Sequence, residues 1–304
     1  MMTMTKYIFA LAVMTATFMS AEAFAGVHIF YAPHPDDFII AMGAAVREHK
    51  AAGHTVYLVL NSAHTSIGDL LDIMNGNVAC PAPEVLHPGE PTPIYHNFNM
   101  SMAELATAEE REIISAAKIL GVDKVLFYNY GRGLSDNQSF DPAQQAAYKQ
   151  SMREMIESME ARFPGAGHKV IANFDPDPWG FNNETHRLLA EAALDLYFES
   201  PQKIFDLRLY KIYAYWYPVG HVRRSSICND WVAPRTPDQM AAKRKALDEH
   251  FYWNPLFGHF AFGAHSVLGL IDKASASSSY NTAQEFVMVP HDYKTWTPPA
   301  DCYL

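Results

Sequence analysis

The chain has few cysteines, and their spacing excludes one kind of metal site. It contains three cysteines among 304 residues, Cys80, Cys228 and Cys302, and no two of them form a CxxC pair. A zinc knuckle is therefore not indicated. In an oxidising compartment two of the three could form a disulfide, and the sequence leaves all three pairings open.

Positive charge is also scarce. The 23 Lys and Arg residues are outnumbered by 33 Asp and Glu residues, which gives a formal net charge of −10 at pH 7. Proteins that grip a phosphate backbone need clustered positive charge, so nucleic acid is not expected as a partner. The chain has no G-x-S-x-G motif and no glycine triplet after its first predicted strand, which disfavours a serine hydrolase and a dinucleotide-binding protein.

The N-terminus lacks an apolar run long enough to span a membrane. Residues 1–25 carry one cation, Lys6, then an apolar run that is shorter than the roughly 20 residues needed to cross hydrocarbon. Ala23 and Ala25 are spaced as in a signal-peptidase site. We predict a cleavable signal peptide over 1–25, rather than a membrane anchor, and a secreted or periplasmic mature chain.

Apolar segments alternate with helix-length segments along the rest of the chain. With 49% hydrophobic residues, the chain can bury a sizeable core. Continuously apolar runs predict buried strands at 27–32, 55–61, 124–130, 169–174 and 211–219. Apolar residues at three- and four-residue spacing predict helices at 37–52, 102–120, 142–162 and 183–198. The predicted fold class is α/β: a Rossmann-like, mostly parallel sheet with helices on both faces.

We predict one domain over 26–304, with a C-terminal extension and one insertion. Residues 75–101 contain five prolines and show no sustained periodicity. A loop of this length in a compact domain is usually functional or disordered, and we expect a lid or rim over the ligand crevice.

A histidine and two aspartates follow the first predicted strand at once. Ligands of open parallel sheets bind beyond the carboxyl ends of the strands, where His34-Pro35-Asp36-Asp37 lies. The first and fourth positions can direct an imidazole and a carboxylate at one point. Because a catalytic zinc needs three protein ligands, the third must come from another strand end, and His186 is the best candidate. The alternatives are a buried structural histidine and helix-capping aspartates.

These motifs resemble those of the PIG-L/LmbE family of zinc-dependent N-deacetylases, which carry [AP]HPDDE and H-x-D-H. The resemblance covers most of residues 27–290, in the family's order. It includes the segments HTSIGD (64–69), REIISAAKILGVDKVLFYNYGRGLSD (111–136), KRKALDEH (243–250) and QEFVMV (284–289).

The resemblance implies a site and a reaction. It assigns the metal to His34, Asp37 and His186, and the general base to Asp36. The implied cofactor is Zn²⁺, although Fe²⁺ and Co²⁺ also accept two histidines and a carboxylate. The implied reaction is metal-assisted hydrolysis that removes an N-acyl group, with acetyl expected, from an amino sugar in a glycan or glycoconjugate.

Three residues depart from the family's pattern next to this site. Phe38 replaces a glutamate, Thr185 replaces an aspartate, and Asn183 replaces a histidine. None is a metal ligand, but all three could remove hydrogen bonds that orient ligands. The departures therefore indicate a divergent substrate or a weakened enzyme.

Four further residues are candidates for substrate binding. Asp69 and Asp136 could bind hydroxyl groups at the crevice rim, Asn183 could donate to an oxyanion, and His250 could line the site. Their alternatives are solvated loop or capping aspartates and a structural histidine among aromatics. The main functional hypothesis is a deacetylase, and its alternative is a carbohydrate-binding protein that has kept the fold and the metal but lost turnover.

Overall fold

The computed structural model describes residues 26–61, 67–128, 141–163, 169–173, 184–201, 206–217, 220–226, 228–266, 284–297 and 299–302. Its strands are β1 Val27–Ala32, β2 Thr55–Leu60, β3 Lys124–Phe127, β4 Lys169–Asn173, β5 Arg208–Tyr210, β6 Trp231–Pro234, β7 Trp253–Asn254, β8 His259–Phe260 and β9 Gln284–Met288. Its α-helices are α1 Asp37–Ala51, α2 Ile67–Met74, α3 Pro83–Leu86, α4 Met102–Leu120, α5 Pro142–Arg162, α6 Glu184–Glu199, α7 Pro237–Asp248 and α8 Phe262–Ser266. Short 3-10 helices span Tyr213–Trp216, Val222–Arg224, Glu249–Phe251, Pro255–Phe257 and Ala300–Cys302.

A seven-stranded sheet organises the molecule, and its strand order is β3-β2-β1-β4-β5-β9-β6. Strands β1 to β5 pair in parallel, and β9 pairs antiparallel with both β5 and β6. The α/β fold class predicted from the alternating pattern is confirmed. Strands β7 and β8 form a separate two-stranded hairpin.

The interior strand β1, which lies between β2 and β4, is buried on both faces because helices cover both sides of the sheet. Phe30 and Ala32 pack in a cluster with residues of α1, α4 and α7. Ile29 and Tyr31, which point to the other face, pack in a second cluster with residues of α5 and α6. Alternate side chains thus enter two different apolar layers, which explains why the strand is continuously apolar.

The long helices have the predicted bounds because their ends carry strong local signals. In α4, the Ser101 side chain accepts from the Glu104 amide while Glu104 accepts from the Ser101 amide. Gly121 follows α4 in the left-handed conformation, with a φ of 87° that favours glycine. Asp141 and Gln144 form the equivalent capping pair at the start of α5.

The predicted strand over 211–219 is wrong. Strand β5 lies before it, at Arg208–Tyr210, and the aromatic run forms a 3-10 helix at Tyr213–Trp216. Tyr215 is buried in the core, where its hydroxyl donates to the Gln284 carbonyl. Burial of Ala214 and of the Tyr215 ring from a helical turn therefore accounts for part of the apolar composition that resembled a strand. Of the predicted strand 124–130, residues 124–127 form β3, and 129–130 lie outside the described residues.

The proline-rich insertion is packed against the rest of the chain rather than extended. It contains α3, the Cys80 amide donates to the Ile94 carbonyl, and the Phe98 amide donates to the Met74 carbonyl. Its buried residues Cys80, Ala82 and Leu86 contact Ala261 and Ala264. Its role as a lid and the single-domain organisation stay predictions.

Of the three cysteines, Cys228 and Cys302 form a disulfide, while Cys80 is a buried free thiol. This selects one of the three pairings that the sequence left open. Within the described part of the chain, none of the helices is both long and apolar enough to cross a membrane.

Candidate metal centre

Two adjacent strand ends bring the predicted metal ligands together. Strand β1 ends at Ala32, and the turn that carries His34 leads directly into α1, which begins at Asp37. Strand β4 pairs in parallel beside β1, and the next helix, α6, carries His186 in its first turn. The carboxyl ends of both strands therefore lie at the same edge of the sheet.

The three predicted ligands converge on one point. His34 Nδ1 lies 3.0 Å from Asp37 Oδ2, and His186 Nε2 lies 3.0 Å from His34 Nδ1 and 3.2 Å from Asp37 Oδ2. Ligand atoms about 2.0–2.1 Å from a tetrahedral zinc ion are ~3.3 Å apart, so this triangle is close to one face of such a tetrahedron. The three buried side chains could therefore hold a metal ion, and among the described residues no further His, Cys, Asp or Glu joins this group.

The Asp37 carboxylate is stabilised in its ionised form. Burial alone would raise its pKa, but the imidazoles of His186 and His34 outweigh burial and hold the pKa well below its usual range. The His34 amide also donates to Asp37 Oδ2 over 3.1 Å. Asp37 is thus available as an anionic ligand.

The environment of Asp36 shifts its pKa in the opposite direction from that of Asp37. Burial, followed by repulsion from Asp37, raises its pKa to about 6, while His34 and His250 oppose the rise. Among the described residues, Asp36 Oδ1 has no hydrogen-bond partner. Asp36 occupies the N-cap position of α1, but its side chain makes no capping hydrogen bond. Helix capping therefore does not explain this carboxyl group.

Thr185, where the resemblance led us to expect an aspartate, contacts the predicted ligand His34. Its Oγ1 lies 3.1 Å from His34 Nε2, on the opposite side of the ring from the proposed metal position. When His34 Nδ1 is a metal ligand, Nε2 carries the proton and donates to Thr185 Oγ1. The hydroxyl group therefore fixes the orientation of His34 without adding a negative charge.

The other departures and candidate residues have mixed placements. Phe38, the second residue of α1, is fully buried and packs in the apolar core. His250 is buried and close enough to Asp36 to lower its pKa, and its Nδ1 lies 3.7 Å from Glu112 Oε2. Asp69 lies in α2, whereas Asp136 and Asn183 lie outside the described residues.

Glu112 was not predicted as part of the site. It is fully buried, and its two carboxylate oxygens accept from the amides of Phe260 and Phe262. It thereby connects α4 to β8 and α8 and faces His250. The sequence feature that could have indicated Glu112 is the Arg111-Glu112 pair at the start of the segment 111–136.

Lys243 and Glu285, which lie in the KRKALDEH and QEFVMV segments, form a buried ion pair. Lys243 Nζ lies 3.2 Å from Glu285 Oε1, and the amides of Ala44 and Ala45 in α1 donate to the same carboxylate. Burial alone would lower the pKa of Lys243, but Tyr215 and Glu285 raise it overall. Lys243 therefore keeps its positive charge, and its pairing with Glu285 connects α1, α7 and β9.

Structural similarity supports the same architecture. The zinc-inhibited form of teicoplanin deacetylase superposes with a TM-score of 0.55 at 13% identity, covering 88% of this chain and 99% of that one. A deacetylase–teicoplanin complex from the biosynthesis pathway of teicoplanin gives a TM-score of 0.51 at 14% identity, covering 88% of this chain and 100% of that one. N,N'-diacetylchitobiose deacetylase from Pyrococcus horikoshii gives 0.48 at 16% identity, covering 97% of each chain. The two structures with TM-scores above 0.5 support the fold, and at these identities they establish the fold alone.

Sequence comparison establishes the family. No curated protein matches the chain. The profile of the PIG-L family, described as GlcNAc-PI de-N-acetylase, matches residues 29–197, which is more than half of the chain and includes both strand ends of the metal centre. The chain belongs to the PIG-L family.

Proposed function

We propose that this protein is a secreted, zinc-dependent N-deacetylase that removes the acetyl group from an amino sugar in a glycan or glycoconjugate. The observation that carries the proposal is the buried triangle of His34, Asp37 and His186 beside the Asp36 carboxyl group. Such an arrangement supplies three metal ligands, an open position and an adjacent base, which amide hydrolysis requires.

The substrate class is supported by similarity. The family is described as GlcNAc-PI de-N-acetylase, and the similar teicoplanin enzyme is named a deacetylase. We therefore place the N-acetyl group of an amino sugar at the open position of the metal centre. Secretion is supported by the N-terminal segment and by the Cys228–Cys302 disulfide, since disulfides persist in oxidising compartments.

The chain's own residues have separate tasks in the reaction. His34, Asp37 and His186 hold the zinc ion, which when bound supplies a Lewis acid and a water of lowered pKa. Asp36 accepts a proton at its unpartnered Oδ1 and returns it to the departing amine. Thr185 keeps His34 in the tautomer that presents Nδ1 as a ligand. All three ligand side chains are buried, which shields their polar atoms from bulk water.

The test combines metal content with acetate release. The mature chain, residues 26–304, is stripped with chelator, reloaded with zinc in stoichiometric steps and incubated with a panel of N-acetylated amino sugars. Stepwise loading is needed because one similar structure is a zinc-inhibited form. We expect acetate release that disappears with chelator and returns with zinc.

The matched controls are Asp36→Asn and His186→Ala. Asp36→Asn should keep its zinc but lose turnover, whereas His186→Ala should bind one zinc ion fewer than the wild type and also lose turnover. Zinc binding with no release from any sugar, combined with sugar binding, would favour the non-catalytic carbohydrate-binding alternative. Acetate release that survives full metal removal would contradict the proposal.

A further inference from the structure

A second group of metal-ligating side chains lies outside the metal centre. Cys80, His87 and His96 belong to the proline-rich insertion, and their ligand atoms lie within 4.8 Å of one another. His265, on α8, reaches the same point from another part of the chain. We propose that these four residues, the Cys–His cluster, bind a structural zinc ion. The site shares no residue with the metal centre and does not depend on the proposed activity.

The distances in the Cys–His cluster fit one tetrahedral ion. His96 Nε2 lies 3.3 Å from His265 Nε2, and Cys80 Sγ lies 3.7 Å from the same atom. With Zn–N bonds of about 2.0–2.1 Å and a Zn–S bond of about 2.3 Å, tetrahedral ligands are ~3.3 Å apart for two nitrogens and ~3.6 Å for nitrogen and sulfur. The two separations at His265 Nε2 therefore match two edges of a tetrahedral Cys-His₃ site, and the ligand atoms of Cys80, His87 and His96 lie within 4.8 Å of one another.

The tautomer of His265 is already the one a ligand needs. Its Nδ1 lies 3.0 Å from the Ala261 carbonyl oxygen, which can only accept, so Nδ1 carries the proton. His265 Nε2 therefore presents a lone pair to Cys80 and His96. A backbone carbonyl that orients the distal nitrogen of a histidine is a common partner of metal ligands.

An ordinary hydrogen bond explains only part of this arrangement. A proton on His96 Nε2 could bridge to His265 Nε2, but such a bond would leave His87 out. His87 Nε2 is buried and has no hydrogen-bond partner among the described residues. A zinc ion would satisfy all four side chains, because each donates one lone pair or a thiolate to the same centre.

The surroundings indicate a structural rather than a catalytic ion. Four protein ligands leave no open position, and Cys80, His96 and His265 are each at most 7% exposed. The Trp253 ring lies 4.8 Å from the His96 ring and 5.1 Å from the His87 ring. Because three ligands come from the insertion and one from α8, the ion would hold the insertion against the body of the protein.

The test counts zinc ions and identifies the thiolate ligand. Wild-type protein and Cys80→Ser are reloaded with zinc or Co²⁺ under reducing conditions. We expect two zinc ions per chain in the wild type and one in Cys80→Ser. A thiolate-to-cobalt charge-transfer band should appear in the wild type and in His186→Ala, because both keep Cys80, and should be absent from Cys80→Ser.

Two histidine variants locate the second ion in the Cys–His cluster. If Cys80→Ser does not fold, His87→Gln removes the half-buried ligand and should weaken the second ion by at least roughly 100-fold, the upper end of the loss caused by removing an outer-sphere partner. His54→Gln, in a separate group with His28 and His49, should leave both ions in place. One ion in the wild type, or loss of the second ion in His54→Gln but not in Cys80→Ser or His87→Gln, would overturn the proposal.

Discussion

Asp36 and Asp37 are adjacent carboxyl groups whose environments shift their pKa values in opposite directions. The two histidines of the metal centre keep Asp37 ionised, whereas burial and repulsion from Asp37 favour the protonated form of Asp36. A pair of titratable groups separated in this way divides the tasks of ligand and base. The two carboxyl groups differ in environment although they are adjacent in sequence, because Asp36 precedes α1 and Asp37 is its first residue.

Replacing Asp36 by asparagine keeps the shape of the side chain but removes its basicity. We expect Asp36→Asn to bind zinc as the wild type does while kcat falls by roughly 10²- to 10⁴-fold, since the general base is lost. Steady-state kinetics and metal analysis on the same preparation test this. Wild-type turnover by Asp36→Asn would show that another group accepts the proton.

The pH profile should report the same carboxyl group. The base acts only when ionised, so kcat/KM should fall as the pH drops through the pKa of Asp36, which is about 6 without an ion. A bound cation favours the carboxylate, so the acidic limb should have its midpoint at or below this value. The profile of Asp36→Asn should lack this limb, and an acidic midpoint well above about 7 would contradict the assignment.

Thr185 allows a test of ligand orientation that leaves the ligands intact. Thr185→Val removes the hydroxyl group that pairs with His34 Nε2, with little change in volume. We expect zinc affinity to fall by about 10- to 100-fold, as is typical when a partner of a metal-ligating histidine is lost. Thr185→Ser keeps the hydroxyl and serves as the matched control in a competition titration with chelator. Equal affinities for the two variants would show that the hydrogen bond does not orient the ligand.

At the level of elements, one carboxylate connects helix α1 to β9, the strand of the sheet that comes last in the sequence. Glu285 on β9 accepts from two amides of α1 and pairs with Lys243 on α7. Gly43 lets the lysine approach, because a Cβ atom at this position would lie 3.1 Å from Lys243 Cγ. The K-x-x-A-L and E-x-F segments of the sequence are therefore explained by this buried connection.

Breaking this connection should cost much of the molecule's stability. Glu285→Gln leaves the Lys243 ammonium buried without its anion, and we expect the free energy of unfolding to fall by about 3–5 kcal/mol. Urea unfolding of the stripped protein measures the change. The double variant Lys243→Met, Glu285→Gln should be less destabilised than the single variant, because it leaves no buried ammonium without an anion. Arg235, which also pairs with Glu285, keeps Glu48 as a partner in both variants. Equal losses would argue against a coupled pair.

Elements with strong local signals could be predicted from the sequence, and those that depend on distant packing could not. Helices α4 and α5 have the predicted bounds because capping pairs mark where they begin. Residues 211–217, the described part of the strand expected over 211–219, contain a 3-10 helix that buries Tyr215, and apolar composition alone does not distinguish such a helix from a strand. The stretch is apolar in either case.

The same contrast applies to the two metal-ligating groups. The convergence of His34 and His186 could be predicted because parallel topology places both residues at one edge of the sheet, whereas their role as metal ligands stays a prediction. The Cys–His cluster could not be predicted, since His96 and His265 are 169 residues apart and no repeated spacing connects them. Only the tertiary packing of the insertion on α8 brings them together.

At the level of the whole molecule, the core can be completed only by the C-terminal part of the chain. Strand β9 lies between β5 and β6, and Glu285 bonds to amides that are 241 and 240 residues earlier. A chain that ends at residue 283 should therefore remain protease-sensitive, whereas one that ends at residue 288 should form the sheet. Limited proteolysis of the two truncations tests this, and equal resistance would show that the sheet forms without β9.

This closure by β9 has a consequence for biogenesis. During synthesis the amides of Ala44 and Ala45 emerge from the ribosome long before Glu285, so the nascent chain cannot finish its core while it is still being made. If the chain is exported, as proposed, such a delay would keep it extended during passage through the translocation channel. We therefore expect the sheet to complete its pairing only after β9 has been synthesised.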